Sequence, residues 1–353
     1  MKTTAKLKVK QDAFGFKDGK PVSRYTFHVP GGFQLSCINY GCIITEIIAP
    51  DREGVLENVV LGFDSIEEYD RHSPYFGAAV GRFAGRIAGG SFELNDRVYQ
   101  LAQNERTNHL HGGPDGFSHV LWNAEVQEND SHASVIFSYE SPDGDQGYPG
   151  NISMKIIYTV TADSELVIRY EGVSDQDTLL NVTNHSYFNL SGNLKRDVLK
   201  HELIMSSGRF LELNEEFLPT GRIRETEGTA FDFRAGRAIA DGTASADPQN
   251  ALVHHGYDHP FLLNDGRQEI RLTDPESGRV LEVETDEPCV VLYTGNKLAG
   301  DHKIRGVQAR NYLGMCLETQ AAPDFIHHPH FPGAVLKAGE TYRTSTKYSF
   351  TAN

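Results

Sequence analysis

The chain has little that would tie it to a membrane, a nucleic acid or a phosphorylated cofactor. No run of about 18 apolar residues is available to span a bilayer. The opening stretch, MKTTAKLKVKQDAFGF, lacks the apolar centre of a secretory signal, so a soluble, cytoplasmic protein is expected. Positive charge is scarce: 33 Lys and Arg stand against 48 Asp and Glu, a formal net charge of −15. That balance argues against nucleic acid or anionic membrane as a partner and leaves a neutral small molecule open. Cysteine is also sparse. Cys37, Cys42, Cys289 and Cys316 form no C-x-x-C pair and each lies in an apolar stretch. Buried free thiols of a reducing compartment are the expected state, although an even count leaves disulfides open. The glycine-rich GRFAGRIAGG does not follow the strand–loop–helix pattern of a dinucleotide or P-loop cradle. No G-x-S-x-G nucleophile elbow is present.

Long helical periodicity is missing too, and what replaces it is alternation. Ile152, Met154, Ile156, Tyr158 and Val160 share one face, opposite Ser153, Lys155 and Thr159, with Ile157 the exception. Leu166, Ile168 and Tyr170 oppose Val167, Arg169 and Glu171; Tyr342, Thr344, Thr346, Tyr348 and Phe350 oppose Arg343, Ser345, Lys347 and Ser349. A period of two puts successive side chains on opposite faces of a strand. Shorter runs of the same kind occur at 132–140, 200–206, 269–273, 280–285 and 289–294. Turn signals separate them: Pro142-Asp143-Gly144, Gly192-Asn193, Asn264-Asp265-Gly266 and Ser277-Gly278. One helix of a turn or two is expected over Ser65–Arg71, with Ser65 as N-cap and Glu68 as its capping-box partner. The polar stretch 236–250 is expected to be an exposed loop. These features predict an all-β fold, one large antiparallel β-sandwich forming a single domain over residues 1–353.

Polar residues set in apolar surroundings are the candidates for chemistry. LLNVTNHSYFNL places Asn184, His185 and Asn189 among apolar neighbours, and YLGMCLETQ places Glu318 after an apolar run. A buried carboxylate is costly unless paired, neutralised or used. A satisfied core histidine and a structural ion pair are the plain alternatives for the two. At turns stand His109 and His111 in NHLHGG, Arg82 and Arg86 in GRFAGRI, and Asp258 in HHGYDHP. The single Trp, Trp122, could stack on a sugar face, but core packing is its expected role. His109-x-His111 and His327-His328-x-His330 are possible ligand spacings, yet further ligands at zinc-like spacing are not evident, so no metal is expected.

Taken in order, INYGCIITEIIAPDREG, VVLGFDSIEEY, PYFGAAVGRFAGRIAGGSF, HLHGGPDGFSHVLW, SPDGDQGYPG, NVTNHSYFNL, LPTGRI, GTAFDFR, GYDHPF, YTGN and LETQAAPDFIHHPHFP resemble the aldose 1-epimerase (galactose mutarotase) family over nearly the whole chain. The resemblance implies a large β-sandwich and a cofactor-free isomerase that interconverts the anomers of a free sugar, working as a monomer or homodimer. It implies that His185 is the general acid and Glu318 the general base. His111 would contact the sugar near its ring oxygen, and Arg86 and Asp258 would bind substrate. His109 falls outside the family pattern. Two positions depart from it: Gly85 stands where the family usually has Asn, and Val291 where it usually has Gln, which leaves open which aldose is preferred. For the chemistry to run, His185 is expected to be held protonated by a nearby carboxylate while Glu318 stays ionised. A glycoside hydrolase-like enzyme built on Asp258 and Glu318, a non-catalytic sugar-binding protein and an enzyme acting on sugar phosphates remain the alternatives.

Overall fold

Alternation in the sequence becomes alternation in burial. Ile152–Thr161 is a strand in which Ile152, Met154, Ile156, Tyr158 and Val160 are buried and the residues between them are partly or fully exposed. The computed structural model describes residues 7–129, 131–264 and 269–353. The turn expected at Asn264-Asp265-Gly266 lies largely outside the described residues. So do the first six residues.

Three sheets carry the architecture. Lys8–Lys17, Lys20–His28, Gln34–Ile38, Ile44–Pro50 and Leu56–Asn58 form a five-stranded meander in chain order. A nine-stranded sheet runs Asn123–Glu128, His132–Ser141, Ile152–Thr161, Glu165–Ser174, Thr341–Ala352, Arg279–Thr285, Glu269–Thr273, Glu202–Met205, Arg237–Ala238. The last strand of the chain is therefore central in this sheet. It pairs antiparallel with Glu165–Ser174 on one side and Arg279–Thr285 on the other. A six-stranded sheet runs Tyr187–Phe188, Met315–Gln320, Cys289–Tyr293, Asp258–Leu262, Arg209–Leu213, Pro219–Glu225.

One core joins the three. Phe137, Ile156, Tyr158, Ile168, Tyr348 and Phe350 from the large sheet pack with Phe27, Leu35 and Ile47 from the meander, and with Phe188, Val290, Met315 and Leu317 from the six-stranded sheet. Polar ties cross the same layer: Tyr158 donates from its hydroxyl to the Cys42 carbonyl at 2.7 Å, and the Thr319 and Thr346 hydroxyls meet at 2.6 Å. The sandwich expected from the sequence is thus present. All four cysteines are buried free thiols. Trp122 is buried against Phe117 and Tyr139, and its indole N–H donates to the Phe117 carbonyl. No helix among the described residues is long and apolar enough to cross a membrane.

Two local expectations meet different ends. The helix Ile66–His72 is capped by Ser65, whose Oγ accepts from the Glu68 N–H at 3.3 Å. Glu68 does not reach back to the backbone; its carboxylate accepts from the Ser65 hydroxyl at 2.9 Å. The stretch 236–250 is not simply a loop. It contains the strand Arg237–Ala238 and the helix Ala240–Thr243, and it opens the helix Pro248–Leu252. Asp247 caps that last helix and Pro248 begins it, a pairing that pre-sets the helical φ where no N–H is needed.

Candidate active site

Strand Met315–Gln320 is buried on both faces. Its residues divide by the period of two. Met315 and Leu317 enter the central core and Thr319 bonds across it to Thr346, while Cys316, Glu318 and Gln320 look the other way. Register then sets their neighbours. Cys316 lies opposite Tyr293 and Tyr187, and Tyr293 opposite Asp258. Glu318 lies opposite Val291, and Val291 opposite Pro260. Residues far apart in the chain thus form one patch on a sheet face.

Loops wall this patch into a pocket with about 180 Å³ of room for water-sized molecules. Arg86–Ile87 pairs with His109–Leu110, so the GRFAGRI and NHLHGG motifs make one two-stranded piece. His111 follows at φ 53°, in the left-handed region, and lines the pocket while His109 does not. The His111 N–H donates to the Gly85 carbonyl at 3.0 Å, and the Gly85 N–H donates to His111 Nδ1 at 3.2 Å. His185 sits between the two-residue strands Thr183–Asn184 and Tyr187–Phe188. Its N–H donates to Ala78 and its carbonyl accepts from Gly77. Its ring is sandwiched between Tyr75 and Tyr187, with centroids at 5.8 and 5.0 Å and planes within 22°.

His185 Nε2 stands 3.5 Å from Glu318 Oε1, and both side chains are about 95 % buried. Burial pushes His185 down to about 4. It pushes Glu318 well above the usual carboxylate range, aided by the like charge of Asp258 and opposed by Arg86. Val291 across the strand gives Glu318 an apolar neighbour rather than a donor. Both shifts run against the expectation of a charged imidazole facing an ionised carboxylate: the desolvation of each group disfavours its charged form. Asp258 is likewise raised by burial. Arg86 pairs with Glu105 at 3.3 Å and lies over the Phe217 ring.

The imidazoles of His111 and His185 and the Glu318 carboxylate bring ligand atoms within 4.8 Å of one another, close enough to consider a metal. The backbone decides against it. An N–H aimed at His111 Nδ1 requires the ring proton on Nε2, so the nitrogen facing the pocket is a donor and not a ligand.

The chain matches the aldose 1-epimerase family model over residues 23–349. It belongs to the aldose 1-epimerase family. It is 42 % identical to a galactose mutarotase of Bos taurus over 90 % of this chain and 91 % of that protein. Against an aldose 1-epimerase of Haemophilus influenzae it is 36 % identical, covering 97 % of this chain and 99 % of the other. A crystal structure of a galactose 1-epimerase from Lactobacillus acidophilus superposes with a TM-score of 0.88 at 30 % identity, over 98 % and 99 % of the two chains.

In this aldose 1-epimerase family member, the five residues singled out from the sequence, Arg86, His111, His185, Asp258 and Glu318, all line the one pocket. The other polar candidates do not line it. Arg82 is buried, donating to Ser141 Oγ and to the carbonyls of Ser141, Pro142 and Pro149, and so anchors the SPDGDQGYPG loop. His109 contacts the Ala102 carbonyl and the Tyr148 hydroxyl. Asn184 and Asn189 bind neighbouring backbone. His327 and His328 both face Asp324, at 2.7 and 3.7 Å. Sequence reading missed Tyr75, Phe217, Lys297 and Gln320 as pocket residues. Only Gln320 carried a usable signal, its place two residues beyond Glu318. Tyr75 and Phe217 sit at φ 66° and 59°, and no motif announces that.

Proposed function

We propose that the protein interconverts the α and β anomers of a free aldose, with Glu318 as general base and His185 as general acid. The observation that carries this reading is the 3.5 Å approach of His185 Nε2 to Glu318 Oε1. The surrounding pocket offers Arg86, Asp258 and the ring Nε2–H of His111 to sugar hydroxyls. The names of the relatives support the same reaction.

Ring opening needs a base on the anomeric hydroxyl and an acid on the ring oxygen. Glu318 removes the first proton as imidazolium His185 delivers the second. Rotation about the bond from the anomeric carbon to its neighbour presents the other carbonyl face, and the same two groups reverse their roles. Proton counting relates the two shifts to this exchange. Imidazolium with carboxylate, and imidazole with carboxylic acid, hold the same number of protons. The second form is the one the pair has when the open aldehyde stands between them. Burial favours that form, so the site is electrostatically matched to the open-chain intermediate rather than to either ring. Interactions stronger in the high-energy state than in the ground state are those that accelerate the step. General acid–base assistance of about 10²–10⁴ per group suffices for a reaction that already proceeds unaided in water.

The substrate is a small, uncharged sugar, and the chain acts as one catalytic domain: the central strand Thr341–Ala352 and the shared core tie its halves together. Polarimetry on pure α-anomers of glucose, galactose, xylose, arabinose and fucose tests the proposal. Acceleration of at least one is expected. A spontaneous rate unchanged for all of them would remove it.

A further inference from the structure

Gln320 is fully buried and lines the pocket. It shares a face with Glu318, two residues and about 6.7 Å along the strand. Its Nε2 lies 3.3 Å from the Ala84 carbonyl and 3.2 Å from the Ala321 carbonyl. Both partners can only accept, so the amide nitrogen must face them and the orientation is fixed. Oε1 then points the other way and has no partner. Of the buried side-chain atoms left unpartnered among the described residues, it is the one belonging to a residue that lines this pocket. A buried acceptor left unmet costs about 1–3 kcal/mol, a cost removed when a ligand supplies the donor. The flanks leave this task to Gln320. Position 85 is a glycine at φ 82°, where a Cβ would come within 2.9 Å of Pro323, and position 291 is valine.

We propose that Gln320 is a substrate-binding residue whose Oε1 accepts a hydrogen bond from a non-anomeric hydroxyl of the aldose, so that the enzyme selects sugars carrying that hydroxyl. This rests on the epimerase reading of the same pocket. The strand spacing separates the hydroxyl read by Gln320 from the anomeric hydroxyl at Glu318.

The experiment is polarimetry on a parent aldose and its monodeoxy derivatives, using the wild type and Gln320→Met. In the wild type, one derivative loses about 5–150-fold in kcat/KM, the equivalent of one unmet buried acceptor. Gln320→Met shows a similar loss on the parent sugar, mainly in KM, and no further loss on that derivative. A uniform loss on every sugar would mark Gln320 as merely structural and overturn the proposal, as would an unaffected parent sugar. If Gln320→Met does not fold, a crystal structure of the wild type with the parent sugar decides: a hydroxyl within about 3.2 Å of Oε1 supports the proposal, and none there overturns it. A wild type that binds sugar but accelerates no mutarotation would instead defeat the epimerase reading, while calorimetry on the same sugars would still report on Gln320.

Discussion

His185 and Glu318 face each other with both side chains about 95 % buried, and each is displaced from its ordinary titration by that burial. His185→Asn or Glu318→Gln, each close in shape to the original, is expected to lower kcat by about 10²–10⁴-fold with little change in KM. Stopped polarimetry with circular dichroism as a fold control measures this; two variants at wild-type rate would end the acid–base assignment. The pH profile follows from the shifts. The active pair carries one exchangeable proton. It gains a second when His185 titrates, near 4, and loses its only one when Glu318 ionises, above the usual carboxylate range. kcat/KM should therefore fall on the acid side only near pH 4, with no acid-side inflection at pH 6.5, where an unperturbed histidine titrates. An inflection at 6.5 would show that the ring is solvated when it acts.

Secondary structure supplies the positions that those residues need. In Met315–Gln320 every residue is buried, and its sequence, three apolar residues followed by three polar ones, shows no alternation and hides the two-faced division that puts Glu318 and Gln320 on the pocket side. In Ile152–Thr161 one face meets solvent, and the same period is plain to read. Half-burial makes a strand legible; burial on both faces erases the pattern. Short-range signals with a chemical mechanism read well, as Ser65 shows. Ser65→Ala should cost about 0.5–2 kcal/mol of stability through the lost cap, seen as a lower urea midpoint, with kcat unchanged because Ser65 does not line the pocket. The Asp247-Pro248 start carried an equally readable signal that the polar composition of 236–250 obscured.

Across the whole molecule, buried titratable groups set a stability optimum. His185 and His201 are pushed down to about 4 and His259 to about 3, and His109 and His111 are lowered as well. Each is neutral when folded and takes up a proton more readily when unfolded. Their contribution is complete above pH 6.5 and lost as pH falls toward 4, on the order of 3 kcal/mol per group for a shift from 6.5 to about 4. Glu287, raised to about 7, and Glu318 and Asp258, both raised by burial, act oppositely: their contribution is present below the ordinary carboxylate range and lost as pH rises through their folded values. The histidines outnumber the carboxyls, so urea-derived stability should peak near pH 6–7 and fall steeply on acidification; a curve flat from pH 7 to 4 would contradict this burial. The sequence alone determined the strand alternation, the sandwich class, the family and the five pocket residues, because short periods and collinear motifs are local properties of the chain. Only the tertiary structure decided that Val291 faces Glu318, that a backbone N–H fixes the His111 tautomer, that Gln320 keeps an unmet acceptor and that burial shifts His185 and Glu318 in opposite directions. Those outcomes depend on strand register, reversed φ values and exclusion of water, and each is set by contacts between residues far apart in the chain.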